Sequence, residues 1–107
     1  MDNTVLSPAV DEFIQALQEE FGDDVQDVWL FGSRARGDHS AESDYDFLIV
    51  AAGSRAATRV RVAAIENSIL LQYGSVFAGV VYPPDLWQRA KHAPLGRTVM
   101  REGRKLV

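Results

Sequence analysis

Cysteine is missing from the 107 residues, which excludes disulfides and thiolate-held metals. Long hydrophobic runs are missing too. No stretch approaches the roughly 20 apolar residues that cross a bilayer, and no basic start leads into the apolar core of a secretory signal. A cytoplasmic setting is the expectation. Positive charge is also short: Lys and Arg number 11 against 15 Asp and Glu, for a formal net charge of −4. With no interleaved basic and aromatic surface, duplex nucleic acid is a poor candidate partner. There is no repeat, linker or low-complexity segment. The length suits one core and leaves no room for a separate substrate domain. Residues 1–107 are therefore expected to form one domain.

What is present is ordinary for a globular chain, with 47% hydrophobic and 24% charged residues, but the charge is unevenly placed. Residues 1–27 hold eight acids, from Asp2 to Asp27, and no Lys or Arg. Residues 89–107 hold Arg89, Lys91, Arg97, Arg101, Arg104 and Lys105 against Glu102 alone. Either end could orient a partner or an anionic ligand. Two solvated helix faces are the plainer reading.

Periodicity and punctuation give the elements. Ser7-Pro8 opens a helix whose Val10, Phe13, Ile14, Leu17 and Phe21 recur at helical spacing, and Gly22 ends it. Val25 to Phe31 reads as a strand, Ser33 to Gly37 as one helical turn, and Asp38 to Ser43 as polar loop. Tyr45 to Ala51 is nearly all apolar, which predicts a strand covered on both faces. A long helix comes next, from Gly53 to Gln72, with Ala57, Val60, Ala64 and Leu71 suited to packing on the sheet. A third strand spans Val76 to Tyr82. Two short helices then cover Asp85–His92 and Leu95–Arg101, separated by Pro94. Lys105 to Val107 could add an edge strand. The order predicts a small α/β (α+β) fold, helices packed on a mixed sheet.

The stretch that carries chemistry is Gly32-Ser33-Arg34-Ala35-Arg36-Gly37, with Ser43-Asp44-Tyr45-Asp46 after it. Strand side chains alternate, so Asp44 and Asp46 share a face with Cα atoms about 6–7 Å apart. Two such carboxylates repel one another unless a cation lies between them, and Mg²⁺ prefers oxygen ligands. A glycine-rich turn that enters a helix offers backbone N–H groups to phosphate. A phosphate cradle beside a carboxylate pair points to phosphoryl or nucleotidyl transfer. A P-loop is excluded, because Asp38 and His39 stand where Lys and Ser/Thr are required. Arg36 could assist the phosphates or pair with a loop carboxylate. Arg36-Gly37-Asp38 is read as a coincidental tripeptide, and neither His39 nor His92 has a partner at metal-ligand spacing. Trp29, Phe31 and Phe47 are expected in the core. Trp87 fits either the core or a contact surface.

These motifs resemble the signature of the minimal nucleotidyltransferases, within the DNA polymerase beta-type nucleotidyltransferase superfamily. The resemblance implies that Gly32, Ser33, Arg36 and Ser43 bind the nucleotide, while Asp44 and Asp46 hold metal and are catalytic. It implies Mg²⁺ or Mn²⁺ as cofactor and a nucleoside triphosphate, ATP above all, as substrate. The product would be a nucleotidyl group, AMP, on a hydroxyl. It also implies a separately encoded HEPN-type partner protein, with this chain as the antitoxin of a toxin–antitoxin pair. The chain departs from the pattern at one point. Superfamily enzymes place a third carboxylate on the strand after the long helix, but Val76 to Tyr82 contains no acid. Counting back from Pro84 puts the vacant position at Ala78. A catalytically degenerate binding module is therefore the alternative, and a nucleotide-sensing regulatory domain is a third.

Overall fold

The computed structural model describes residues 7–107, so Asp2 of the acidic amino-terminal set lies outside the described residues. Helix α1 (Pro8–Phe21) starts as read from the sequence. Ser7 is extended, its Oγ accepts from the Val10 N–H at 3.2 Å, and Pro8 occupies the first turn, where no N–H is missed. A short 3₁₀ turn over Gly22–Asp24 leads into β1 (Val25–Phe31), the single-turn α2 (Ser33–Arg36) and β2 (Tyr45–Ala51). Helix α3 (Arg55–Tyr73) is capped by Ser54 at its start and by a left-handed Gly74 at its end. Then come β3 (Phe77–Tyr82), α4 (Pro84–Ala90), α5 (Pro94–Glu102) and β4 (Arg104–Lys105). Pro84 and Pro94 sit in the first turns of α4 and α5, so both prolines start helices as well as ending what precedes them.

The sheet is mixed, in the order β3-β2-β1-β4. Strands β2 and β3 run parallel, joined through α3, while β1 is antiparallel to both of its neighbours. The expected α/β architecture is what forms. The last strand falls slightly earlier than expected: Arg104 and Lys105 pair with Leu30 and Trp29, and the Leu106 N–H then donates to the Val28 carbonyl.

Each face of the sheet carries its own helices. Val28, Leu30, Phe47 and Ile49 pack with Phe13 and Leu17 of α1 and with Val62 and Ile69 of α3. On the other face, Leu48 and Val50 pack with Trp87 of α4 and Val99 of α5, and Trp29 and Phe31 lie partly buried against them. This double cover explains the unbroken apolar run of β2, which is buried from Phe47 to Ala51. Trp87 belongs to the core.

Helix α3 corrects one expectation. Its buried residues are Thr58, Val62 and Ile69, whereas Val60 and Leu71, expected against the sheet, are 71% and 80% exposed. Apolar residues surround this helix, so several stripes fit the 3.6-residue period and tertiary packing selects among them. The same helix reaches the outer edge of β3 at two points. The Gly79 N–H donates to Glu66 Oε2 at 2.7 Å, and Arg55 Nε donates to the Val81 carbonyl at 2.7 Å. Arg59 pairs with the other Glu66 oxygen at 3.0 Å. Among the described residues, no helix is long and apolar enough to cross a membrane.

Candidate active site

Strand β1 ends at Gly32, whose φ of 80° and ψ of −160° lie in a region that essentially only glycine occupies. Its carbonyl accepts from the N–H groups of Ala35 and Arg36, both at 3.0 Å, which closes α2. The amides at the start of such a turn have no acceptor within it and can serve one from outside. Gly37, at φ 89°, then releases the chain into the loop.

The loop returns as β2, and strand register fixes the position of the two aspartates. Asp46 lies between Phe31 of β1 and Ala78 of β3, on the face that α4 and α5 cover farther along. Asp44 lies just before the strand begins, near enough for its charge to act on Asp46. Between them, Tyr45 turns to the opposite face, where its ring centroid lies 4.7 Å from that of Phe77. The two aspartates thus flank a residue that anchors the strand.

A residue without a motif of its own holds this arrangement. Arg34 donates from Nε and Nη2 to the Ser43 carbonyl at 3.3 and 3.1 Å, and from Nη2 to the Ala41 carbonyl at 3.3 Å. Its guanidinium also sits 4.2 Å from the Tyr45 ring centroid. One side chain thus ties α2 to the end of the loop that delivers Asp44. In sequence it is only the variable position after Gly32-Ser33.

The other expected site residues differ in how free they are to act. Ser33 opens α2 beside Gly32. Ser43 lies next to Asp44, but its Oγ accepts from the Ser40 N–H at 3.0 Å and so closes the loop. Arg36 forms ion pairs with Asp38 at 3.1 Å and with Glu102 of α5 at 2.8 Å, the loop-carboxylate pairing that the sequence left open. Among the described residues, no group of three or more His, Asp or Glu could hold a metal ion, so no third acid joins Asp44 and Asp46. Glu66 is committed to the β3 edge. Ala78 is the exposed small residue directly beside Asp46.

Gly32 and Asp46 are in close apposition. A Cβ on Gly32 would stand 2.6 Å from Asp46 Oδ2. Gly32→Ala is therefore expected to push the Asp46 carboxylate aside and to strain the turn by about 1–3 kcal/mol. Thermal melts should show the loss of stability, and Mn²⁺ titration the loss of affinity. A folded variant with unchanged melting temperature and Mn²⁺ affinity would make this glycine incidental.

Burial, and then the negative charge of Asp44, raise the Asp46 carboxyl above its ordinary range. A carboxyl whose folded pKa lies above its unfolded one favours folding when protonated. Stability is thus lost as pH rises from the ordinary carboxylate range through the folded value, and at neutral pH the whole penalty is present. In chelator, Asp46→Asn should melt higher than the wild type at neutral pH, with the gain disappearing in acid. Mn²⁺ should raise the wild-type melting temperature more than that of the variant. A gain independent of pH would remove the electrostatic explanation.

The family described as nucleotidyltransferase domain matches residues 10–95. A protein of Methanocaldococcus jannaschii named as a protein adenylyltransferase is 35% identical over 98 residues, 92% of this chain and 94% of that one. Among solved structures, a toxin–antitoxin with AMP-PNP superposes with a TM-score of 0.62 at 20% identity, covering 91% of this chain and 72% of the other. A protein from Sulfolobus solfataricus, named as a nucleotidyltransferase, superposes with a TM-score of 0.57 at 24% identity, covering 76% and 69%. At these identities the two structures speak for the fold.

Proposed function

The chain belongs to the nucleotidyltransferase domain family, and from that premise we propose that it transfers AMP from ATP to a hydroxyl on a partner protein, with residues 1–107 acting as one catalytic domain. The observation that carries the reading is the Asp46 carboxylate set against the glycine turn, where a Cβ on Gly32 would meet it, with Asp44 near enough for its charge to act on Asp46.

In this reading the acceptor oxygen forms a bond to the α-phosphorus, the bond to the β-phosphate oxygen breaks, and pyrophosphate leaves. The hydroxyl proton passes to a base on the acceptor side or to water. Gly32, Ser33 and the start of α2 receive phosphate oxygens through backbone N–H groups. Asp44 and Asp46 would hold Mg²⁺ or Mn²⁺. The raised Asp46 carboxyl supports that fit, since burial and Asp44 make its negative charge costly without a cation. When bound, such an ion supplies charge neutralisation at the phosphates. Arg34 keeps Asp44 in place, and Ser43 holds the loop turn. Arg36 reaches a phosphate only on leaving Asp38 or Glu102.

For the partner we propose a separately encoded HEPN-type toxin in the cytoplasm, with this chain as antitoxin. The protein adenylyltransferase name of the relative and the toxin–antitoxin identity of the structural neighbour support it. The test is transfer of label from α-labelled ATP to the co-expressed neighbouring gene product, with and without chelator. Chelator-sensitive labelling at a hydroxyl side chain is expected. The competing reading, a module that neutralises its partner by contact alone, is favoured by Ala78 beside Asp46. Tight complex formation without labelling would replace the first reading with the second.

A further inference from the structure

The sheet separates α1 from α4 and α5, although the two charged ends noticed in the sequence meet once, where Lys105 pairs with Asp27 of β1 at 3.3 Å. Acidic α1 packs on one face, through Phe13 and Leu17. The basic segment from α4 to β4 packs on the other through Trp87 and Val99, the same face that carries Asp46. The basic segment therefore shares a side of the molecule with the proposed chemistry, and α1 does not.

Helix α5 brings that charge closest. Gly96 and Val99 are buried, while Arg97, Met100 and Arg101 are exposed. Residues 97 and 101 are one turn apart and lie on the same side of the helix. Met100, 50% exposed, borders them. The helix ends at Glu102, which receives a hydrogen bond from Arg36 of α2 at 2.8 Å, so the end of α5 stands beside the turn that precedes the aspartates. Its cations are little neutralised. Arg97 donates to the His92 carbonyl at 3.2 Å, and Arg101 stands 4.0 Å from Glu102, which Arg36 already engages. Lys91 and Arg89, at the end of α4, extend the same charge.

Resting on the reading of the chain as a protein-directed nucleotidyltransferase, we propose that the Arg97–Met100–Arg101 ridge docks an acidic segment of the acceptor protein that carries an apolar side chain near the modified hydroxyl. The surface dictates that chemistry: cations one turn apart select carboxylates, and an unbranched, polarisable Met beside them accommodates an apolar anchor. A net acidic chain meets an acidic partner most readily where its own acids are distant or paired: α1 packs on the opposite face, and here Asp27 is paired with Lys105 and Glu102 with Arg36.

The experiment uses the full chain and a fluorescent tyrosine peptide flanked by Glu and Leu, read by anisotropy at low and physiological ionic strength. A Lys-flanked peptide and an oligouridylate serve as competing probes. The acidic peptide should bind best and weaken with salt. Arg97→Glu with Arg101→Glu should weaken it about tenfold at low salt, as expected when two exposed attractions become repulsions. Met100→Ala should weaken the Leu peptide more than its Ser counterpart. Asp11→Lys with Glu19→Lys, on α1 at the opposite face, should leave binding unweakened, and Mg²⁺-dependent ATP binding should survive the arginine reversals. Absent binding of the acidic peptide, equal binding after the reversals, equal weakening by the α1 changes, or preference for the oligouridylate would each overturn the proposal. Peptide binding that persists while the wild-type chain fails to bind ATP would instead overturn the nucleotidyltransferase mechanism and leave the docking surface standing.

Discussion

Asp44→Asn combined with Asp46→Asn should abolish Mg²⁺-dependent AMP transfer while the protein stays folded. A bound divalent ion contributes several kcal/mol of transition-state charge stabilisation. At 1.36 kcal/mol per tenfold, that corresponds to a fall of about 10³-fold or more. The fold should tolerate the change because Asp46 is already held at a cost from burial and from its neighbour, which the neutral amide relieves. Tyr45 keeps its anchoring contacts on the opposite face. Calorimetry of ATP binding, with and without chelator, checks the result. Unchanged metal-dependent affinity in the double variant, or wild-type affinity that ignores chelator, would detach the aspartates from the proposed chemistry.

The second large effect runs the other way. Ala78→Asp should tighten binding of a second Mn²⁺ and accelerate transfer. Positions 46 and 78 are register partners in the parallel pair β2/β3, so their side chains leave the same face as neighbours. Ala78 is exposed, and the new carboxylate displaces nothing. Two carboxylates hold one ion well, and a third beside them completes the oxygen ligands of a two-ion site. A positioned base is worth about 10²–10⁴-fold, so even partial alignment should be measurable. Mn²⁺ stoichiometry by electron paramagnetic resonance gives a readout independent of rate. One ion per chain in both proteins, with equal rates, would show that position 78 does not take part.

Much of the fold is readable from the residues, and the parts that are not share a physical cause. Ser7-Pro8 and Gly22 bracket α1 because capping chemistry is local. The two-sided burial of β2 follows from its unbroken apolar run, and the side of the sheet that Asp46 takes follows from alternation within the strand. The orientation of α3 is not legible, since Val60 and Leu71 suit a buried stripe as well as Val62 and Ile69 do. Arg34 escapes notice because its partners are backbone carbonyls, which carry no side-chain signature. The Gly32–Asp46 apposition depends on two strands meeting, and no spacing within one segment encodes it. Ala78 can be located by counting within its own strand. Its pairing with Asp46 is a property of the sheet.

The partly occupied border of β3 bears on how the protein behaves in a crowded solution. A bare strand edge is a template that any extended chain can copy, and aggregates spread by that route. Here the Gly79 amide and the Val81 carbonyl are already taken by Glu66 and Arg55. A passing strand would have to displace both side chains before it could pair there. The helix that connects two strands thus also shields part of the second of them, through Glu66 and Arg55.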